Sequence, residues 1–157
     1  MRGAAPQGEA GGNPHECVVR KAMDVTFQEF LISDDQNKIQ PDRVCRLLGD
    51  SYWAKDRTRD RIEKSIANSL CFGIYTDGKQ IGFARCVTDF ATVYWLADVI
   101  VDPAYRGRGL GKELVNAVVG HERLKGCTGI LSTLDAHGLY EQYGFLRDPD
   151  RFLRKHA

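Results

Sequence analysis

Residues 101–112, Val-Asp-Pro-Ala-Tyr-Arg-Gly-Arg-Gly-Leu-Gly-Lys, set three glycines and three cations between an apolar strand-like run and the start of an amphipathic helix. Residue types in that order suit an anion. Glycine permits φ > 0 and lets the main chain come close to a ligand. The unpaired N–H groups and positive dipole of a helix's first turn favour phosphate oxygens. Arg106, Arg108 and Lys112 add charge beside the turn, although ordinary solvated surface charge would read the same way.

Two better-known phosphate loops do not fit. A P-loop ending at Gly111-Lys112 needs glycine where Arg106 stands and Ser or Thr where Glu113 stands. A dinucleotide fingerprint starting at Gly107 needs Gly or Ala where Lys112 stands. What remains, Arg106-x-x-Gly109-x-Gly111 after Asp102-Pro103, resembles the [QR]-x-x-G-x-[GA] loop of the GNAT acyl-CoA-dependent N-acetyltransferases, whose amides hold the coenzyme A pyrophosphate. Residues 135–145 resemble a second element of that family, A-x-x-L-Y-E-x-x-G-F, with Ala136, Leu139, Tyr140, Glu141, Gly144 and Phe145 on matching positions. The two motifs stand in family order, with one helix and one strand's worth of chain between them. The resemblance covers roughly Met23 to Asp150.

The resemblance implies an α/β (α+β) GNAT fold: a single domain with a mixed, mostly antiparallel central sheet and helices on both faces. It implies transfer of an acetyl group from acetyl-CoA to a primary amine of a small molecule or peptide, by direct attack in a ternary complex, with coenzyme A as product. A non-catalytic acyl-CoA-binding sensor or regulatory module is the alternative. Tyr140 and an acidic Asp98 favour catalysis, because a pure binding module needs no proton donor at the sulfur.

On the family's pattern, the residues expected to hold acetyl-CoA are the main chain of Val99, Ile100 and Val101 beside a strand bulge, then Arg106, Gly107, Arg108, Gly109, Leu110, Gly111 and Lys112. Thr133 and Tyr140 complete the set. Many members carry Asn at the position of Thr133, so its hydroxyl would replace only part of that hydrogen bonding. Tyr140 matches the leaving-group acid: a phenol near pKa ~10 stays protonated at pH 7 and can donate to a thiolate. A tyrosine packed between helix and sheet is the other reading, and Tyr143 is expected to be structural.

Attack also requires a neutral amine. Asp98, ionisable in an apolar strand, is the first candidate base, directly or through water; a paired structural carboxylate is its alternative. His137, three residues from Tyr140 and so on the same helix face, is the second candidate, unless it is simply exposed. Tyr52 and Trp53 are expected to contact the acceptor or else to anchor the first two helices to the sheet. No metal site is expected.

The 157 residues suit one domain. A formal charge of +1 gives no polyanion signal, so nucleic acid is not an expected partner. No apolar run approaches a membrane span or a signal-peptide core, so no membrane partner is expected, and the setting is expected to be cytoplasmic. A homodimer is left open. Cys17, Cys45, Cys71, Cys86 and Cys127 lack C-x-x-C spacing and read as reduced thiols, Cys71 and Cys86 as small apolar strand residues. Residues 1–22, rich in Gly, Ala and Pro, read as a disordered tail before a domain at 23–157.

Periodicity then places the elements. Val25, Phe27 and Leu31 suggest a half-buried strand from Met23. Pro41 opens a helix with Val44, Leu47 and Leu48 and a stop at Gly49, and Thr58, Ile62, Ile66 and Leu70 mark a second. Residues 71–76 and 80–88 read as strands joined by an Asp77-Gly78 turn, and 93–101 as the next strand. Leu110, Leu114, Val115 and Val118 give a helix ending near Gly120. A strand over 128–134, a helix over 136–143 capped by Asp135 and stopped by Gly144, and a closing strand over 145–152 complete the pattern.

Overall fold

Six strands hydrogen-bond in chain order into one sheet in the computed structural model, which describes residues 20–156. They are β1 (Asp24–Phe27), β2 (Phe30–Ser33), β3 (Leu70–Thr76), β4 (Lys79–Thr88), β5 (Val93–Val101) and β6 (Thr128–Leu131). Neighbours from β1 to β5 are antiparallel, while β6 joins β5 in parallel. A parallel pair needs a crossover, and α3 (Leu110–Val119) supplies it. The other helices are α1 (Pro41–Gly49), α2 (Arg59–Ala67) and the short α4 (His137–Glu141).

The helices cover both faces. Val44, Leu47 and Leu48 of α1 and Ile62 and Ile66 of α2 bury against Cys71, Phe83 and Ile100 on one side of the sheet. On the other, Leu110, Leu114, Val115 and Val118 of α3 pack with Ile32, Phe72, Ile74, Leu96 and Tyr140. Each such side chain is worth about 1.5–3 kcal/mol on burial, so these stripes decide where the helices dock. Pro41 presets the first φ of α1, which has no side-chain cap. The β3–β4 turn takes positive φ at both Asp77 (47°) and Gly78 (74°), as the hairpin signal required.

Several expectations are corrected. The strand from Met23 is a hairpin, because Gln28 turns at φ 53° and returns the chain as β2. Leu70 heads β3 instead of closing α2. The run 128–134 pairs only as far as Leu131. Asp135 makes no cap: Ala136 holds the N-cap position of α4, and its N–H donates to the Thr133 hydroxyl at 3.0 Å. No strand forms over 145–152. Pro149 opens a 3-10 turn there, and a proline set among Arg147, Asp148, Asp150 and Arg151 has neither the donor nor the alternation that a ladder needs.

One irregularity in the sheet controls the rest. Phe83 faces Ile100 and Arg85 faces Ala97, so Ala84 opposes Asp98 and Val99 together. That is a β-bulge, with Asp98 at φ 54°. The extra residue reverses the side-chain alternation: Tyr94 and Leu96 before it join the α3 core, whereas Ile100 after it joins the α1–α2 core. Pairing with β6 ends just before the bulge, at Leu96–Leu131. Beyond that point β5 and β6 part.

No described helix is long and apolar enough to cross a membrane. Cys45, Cys71, Cys86 and Cys127 are free thiols; burial pushes Cys71 and Cys86 up to about 12, which leaves them apolar fillers. Cys17 and the tail expected over 1–22 fall mostly outside the described residues, where the chain enters at Arg20. That guanidinium bonds Asp34, which also accepts from the Met23 N–H at 2.6 Å and lies 2.8 Å from the buried His121 ring.

Candidate functional site

Where β5 and β6 separate, a cavity of about 1090 Å³ opens between the glycine turn, the bulge and α4. Past Leu96, β5 has no β6 partner, so main-chain groups of Ala97 to Val101 directed that way face the cavity instead of a ladder. Val99, Ile100 and Val101 all line it.

At one end stands the turn. Asp102 accepts from the Ala104 N–H at 3.0 Å and sets the 3-10 turn Pro103–Tyr105. Gly107 and Gly109 then adopt φ 77° and 80°, and Gly109 is the N-cap of α3. A Cβ at Gly107 or Gly111 would meet nothing within 4 Å, and at Gly109 only the Phe27 ring at 3.8 Å. Backbone conformation therefore explains two of the glycines. Gly111 has an ordinary φ and open space, so the fold alone gives no reason for it.

The three cations of this segment part company. Arg106 donates from Nε to the Val101 carbonyl at 3.1 Å and lines the cavity, as does Lys112. Arg108 turns away to Glu29 at 3.3 Å and lies over the Phe30 and Tyr105 rings; it is not part of the cavity wall. Tyr143 donates to the Lys112 carbonyl at 2.9 Å and so ties the turn after α4 to α3, a structural contact.

The opposite end is built from side chains. Asp98, 6% exposed, accepts on Oδ2 from Arg85 Nε at 2.6 Å and Arg57 Nη1 at 2.7 Å, and on Oδ1 from Trp53 Nε1 at 3.1 Å. Burial alone would raise its pKa. The charge and hydrogen bond of Arg85, with those of Arg57, outweigh that and hold the carboxyl below its usual 3.8. Asp98 is thus an ionised hub whose oxygens are already engaged, the paired alternative to a free base. Trp53 and Tyr52 stand edge to face 5.0 Å apart, 42% and 52% exposed, and both line the cavity.

Between the two ends lies Tyr140, 9% exposed, its ring edge-to-face with Phe145 at 6.0 Å. Burial first, and then Tyr52 and Asp135, push its hydroxyl up to about 12. Thr133 shares the wall, but its Oγ already accepts from the Ala136 N–H. His137, at the start of α4, is not among the wall residues.

The cavity thus gathers Val99, Ile100, Val101, Arg106, Gly107, Gly109, Leu110, Gly111, Lys112, Thr133, Tyr140, Asp98, Tyr52 and Trp53, and leaves out Arg108 and His137. Arg57 and Arg85 are wall residues that sequence reasoning missed. One signal was present: Arg85 is the only charge within Ile81 to Thr88, and a lone arginine in an apolar strand needs a buried partner.

Comparison with known proteins identifies the family. The model of the Acetyltransferase (GNAT) family matches residues 41–145. A GCN5-related N-acetyltransferase 1 of Arabidopsis thaliana, a chloroplastic protein, is 33% identical over 88% of this chain and 82% of its own. An uncharacterized N-acetyltransferase of Pyropia yezoensis is 27% identical over 85% of this chain and 80% of its own. Among solved structures, an acetyltransferase assigned to the same family from Xanthomonas campestris superposes with TM-score 0.79 at 38% identity, covering 84% of this chain and 96% of that one.

Proposed function

Because the chain belongs to the GNAT acetyltransferase family, we propose that it transfers an acetyl group from acetyl-CoA to a primary amine of a small molecule or peptide, by direct attack in a ternary complex. The observation that carries this reading is the continuous cavity, which joins a phosphate-type helix N-terminus to a buried phenol and a bulged strand edge. The setting we propose is the cytoplasm, with neither nucleic acid nor membrane as partner.

The residues fit the donor. Open space above Gly107 and Gly111 leaves the amides of the turn and of the first turn of α3 free to meet diphosphate oxygens. Lys112 and the N–H groups of Arg106 not bonded to Val101 add charge. Main-chain N–H groups of Val99 and Val101, released from the ladder beyond the bulge, would face the carbonyl oxygen as charge grows there. In the reaction a C–N bond forms and the C–S bond breaks. The amine gives up a proton and the sulfur gains one.

Tyr140 is placed to supply the proton at sulfur. A hydroxyl pushed up to about 12 stays protonated at every pH at which the protein would work. It is also a weaker acid than an exposed phenol. Loss of water around the sulfur would make a thiolate more basic as well, so donor and recipient stay matched. Asp98 we assign to positioning: it orients Arg57, Arg85 and Trp53. The amine then loses its proton to water.

The test is calorimetry with acetyl-CoA alongside release of free thiol over an amine panel. Binding together with amine-dependent thiol release supports the enzyme. Tight binding with no thiol release for any amine would instead leave a non-catalytic acyl-CoA-binding module.

A further inference from the structure

We propose that the acceptor is a small primary amine that also carries an oxyanion, a carboxylate or a phosphate, held at the bulge end of the cavity by the guanidinium groups of Arg57 and Arg85. The inference rests on the acetyltransferase reading above and adds the substrate class.

Charge balance is the first observation. Arg57 and Arg85 both converge on one oxygen of Asp98, so two fixed cations share one carboxylate. Asp50 and Asp135, the other acids of the cavity wall, are exposed. At the far end Arg106 and Lys112 are accounted for by donor phosphates. Asp98 balances only one of the two guanidinium charges, while Arg154, the fifth cation of the wall, donates to the Ser132 hydroxyl at 3.4 Å.

Unused hydrogen-bonding capacity is the second. Arg57 spends only Nη1, on Asp98. Arg85 spends Nε on Asp98 and Nη1 on the Ser69 hydroxyl at 3.4 Å. Among the described residues Nε and Nη2 of Arg57 and Nη2 of Arg85 have no partner. They are not sealed in the interior either, since among the described residues the Tyr75 hydroxyl is the one buried side-chain polar atom left unpaired. Both side chains line the cavity, so each brings a guanidinium with unspent donors to its wall. Planar guanidinium forks match carboxylate and phosphate oxygens.

The third observation is rigidity. Asp98, fixed by the bulge and buried, locks both guanidinium groups and the Trp53 ring in place, so little rotamer entropy remains to be lost when an anion docks. A uniformly cationic acceptor such as a polyamine would meet repulsion at the same spot.

Thiol release with acetyl-CoA is measured for matched pairs, β-alanine against propylamine and O-phosphoethanolamine against ethanolamine, with spermidine as the cationic case. The oxyanion-bearing member should win in at least one pair, and spermidine should be poorest; which pair shows the larger ratio identifies carboxylate or phosphate. Arg57→Gln should shrink the winning ratio by about 10- to 100-fold, mainly through KM, and Arg57→Lys should restore part of it. Intrinsic tryptophan fluorescence, titrated with the same two acids in the presence of coenzyme A, gives a readout independent of turnover. Saturable, salt-sensitive quenching lost in Arg57→Gln supports the site even if no amine releases thiol, in which case the acetyltransferase reading fails alone. Equal kcat/KM within both pairs, or a ratio untouched by Arg57→Gln, would overturn the inference while leaving the acetyltransferase standing. Failure of both turnover and saturable quenching overturns both.

Discussion

At the glycine end of the cavity, the groups that meet a ligand are main-chain N–H groups of residues adjacent in sequence, whereas at the bulge end they are side chains of Trp53, Arg57, Arg85 and Asp98, drawn from three separate elements. The first end can be specified by spacing alone, because a turn and a helix start form the same amide cradle whatever side chains flank it. The second depends on tertiary placement. A one-residue bulge sends Asp98 toward the α1–α2 side, where the Trp53 to Arg57 loop meets it. The two ends should therefore fail differently when altered.

The largest effect is expected where they meet. Tyr140→Phe should lower turnover by about 10²- to 10⁴-fold, the range for general acid–base catalysis, with acetyl-CoA affinity and melting temperature near wild type. Among the described residues the hydroxyl has no hydrogen-bond partner to lose, and the contact with Phe145 stays. Because burial raises this phenol to about 12, its protonated form persists upward in pH. The profile of kcat/KM should rise as the amine deprotonates and show no alkaline fall below about pH 11. An alkaline fall near pH 9 would remove Tyr140 from the role.

Next comes the cradle. Gly111→Val should fold as well as wild type, since the position has ordinary φ and nothing within 4 Å of a new Cβ, and Val is no worse than Gly in a helix. Donor affinity should nevertheless fall by roughly 10²-fold or more, the loss of one to two charge-assisted bonds of about 1.5–3 kcal/mol each. Gly107→Ala should do the opposite, costing about 1–2 kcal/mol of stability for a side chain at φ 77°, with a smaller loss of affinity. Calorimetry beside thermal melts reads both. Wild-type affinity in Gly111→Val would mean that the amides of this turn do not hold the diphosphate.

At the bulge end the failure should be one of stability. Asp98→Asn leaves two guanidinium groups without their counter-charge and should cost about 2–3 kcal/mol, below the ~3–5 kcal/mol of a fully buried pair, since Arg57 and Arg85 keep 23% and 14% side-chain exposure. The sign with pH follows from a folded pKa held below 3.8. The carboxylate's contribution is complete above 3.8 and is lost as pH falls through the lower folded value, so denaturation midpoints of wild type and variant should converge in acid. Activity of Asp98→Asn should drop by a similar factor at every pH. Recovery at high pH would instead make Asp98 the base, and a profile flattened by His137→Ala would move that role to His137.

These contrasts track what was legible beforehand. The glycine turn, the Asp77-Gly78 hairpin and the leucine faces of α1 and α3 depend on neighbours within a few residues, and the sequence pattern marks each of them. Tyr140 was found through a motif, not through its surroundings, and its raised pKa follows from burial that no local pattern shows. Arg57 and Arg85 went unnoticed because their meaning lies in Asp98, 41 and 13 positions away. The end of β6 at Leu131 falls level with a bulge in a different strand, and the expected strand over 145–152 is interrupted by Pro149.

Arg108 tests the comparison at its finest grain. In sequence it is one of three cations set into the glycine turn, with Arg106 on the first position of the loop motif and Arg108 and Lys112 on unspecified ones. In the structure it pairs with Glu29 across 79 positions, its guanidinium over Phe30 and Tyr105 and outside the cavity wall. That ion pair is exposed, 48% and 59% on the two side chains, so it is worth about 0.2–1 kcal/mol, with a similar share from the aromatic contacts. Arg108→Ala should therefore lower stability by about 1 kcal/mol and leave donor affinity within about two-fold of wild type. Lys112→Ala should reverse the pattern, weakening donor affinity by about ten-fold or more with stability unchanged. Equal losses of affinity in both variants would show that Arg108 swings onto the phosphates when the donor arrives, and that the turn is less preorganised than its glycines suggest.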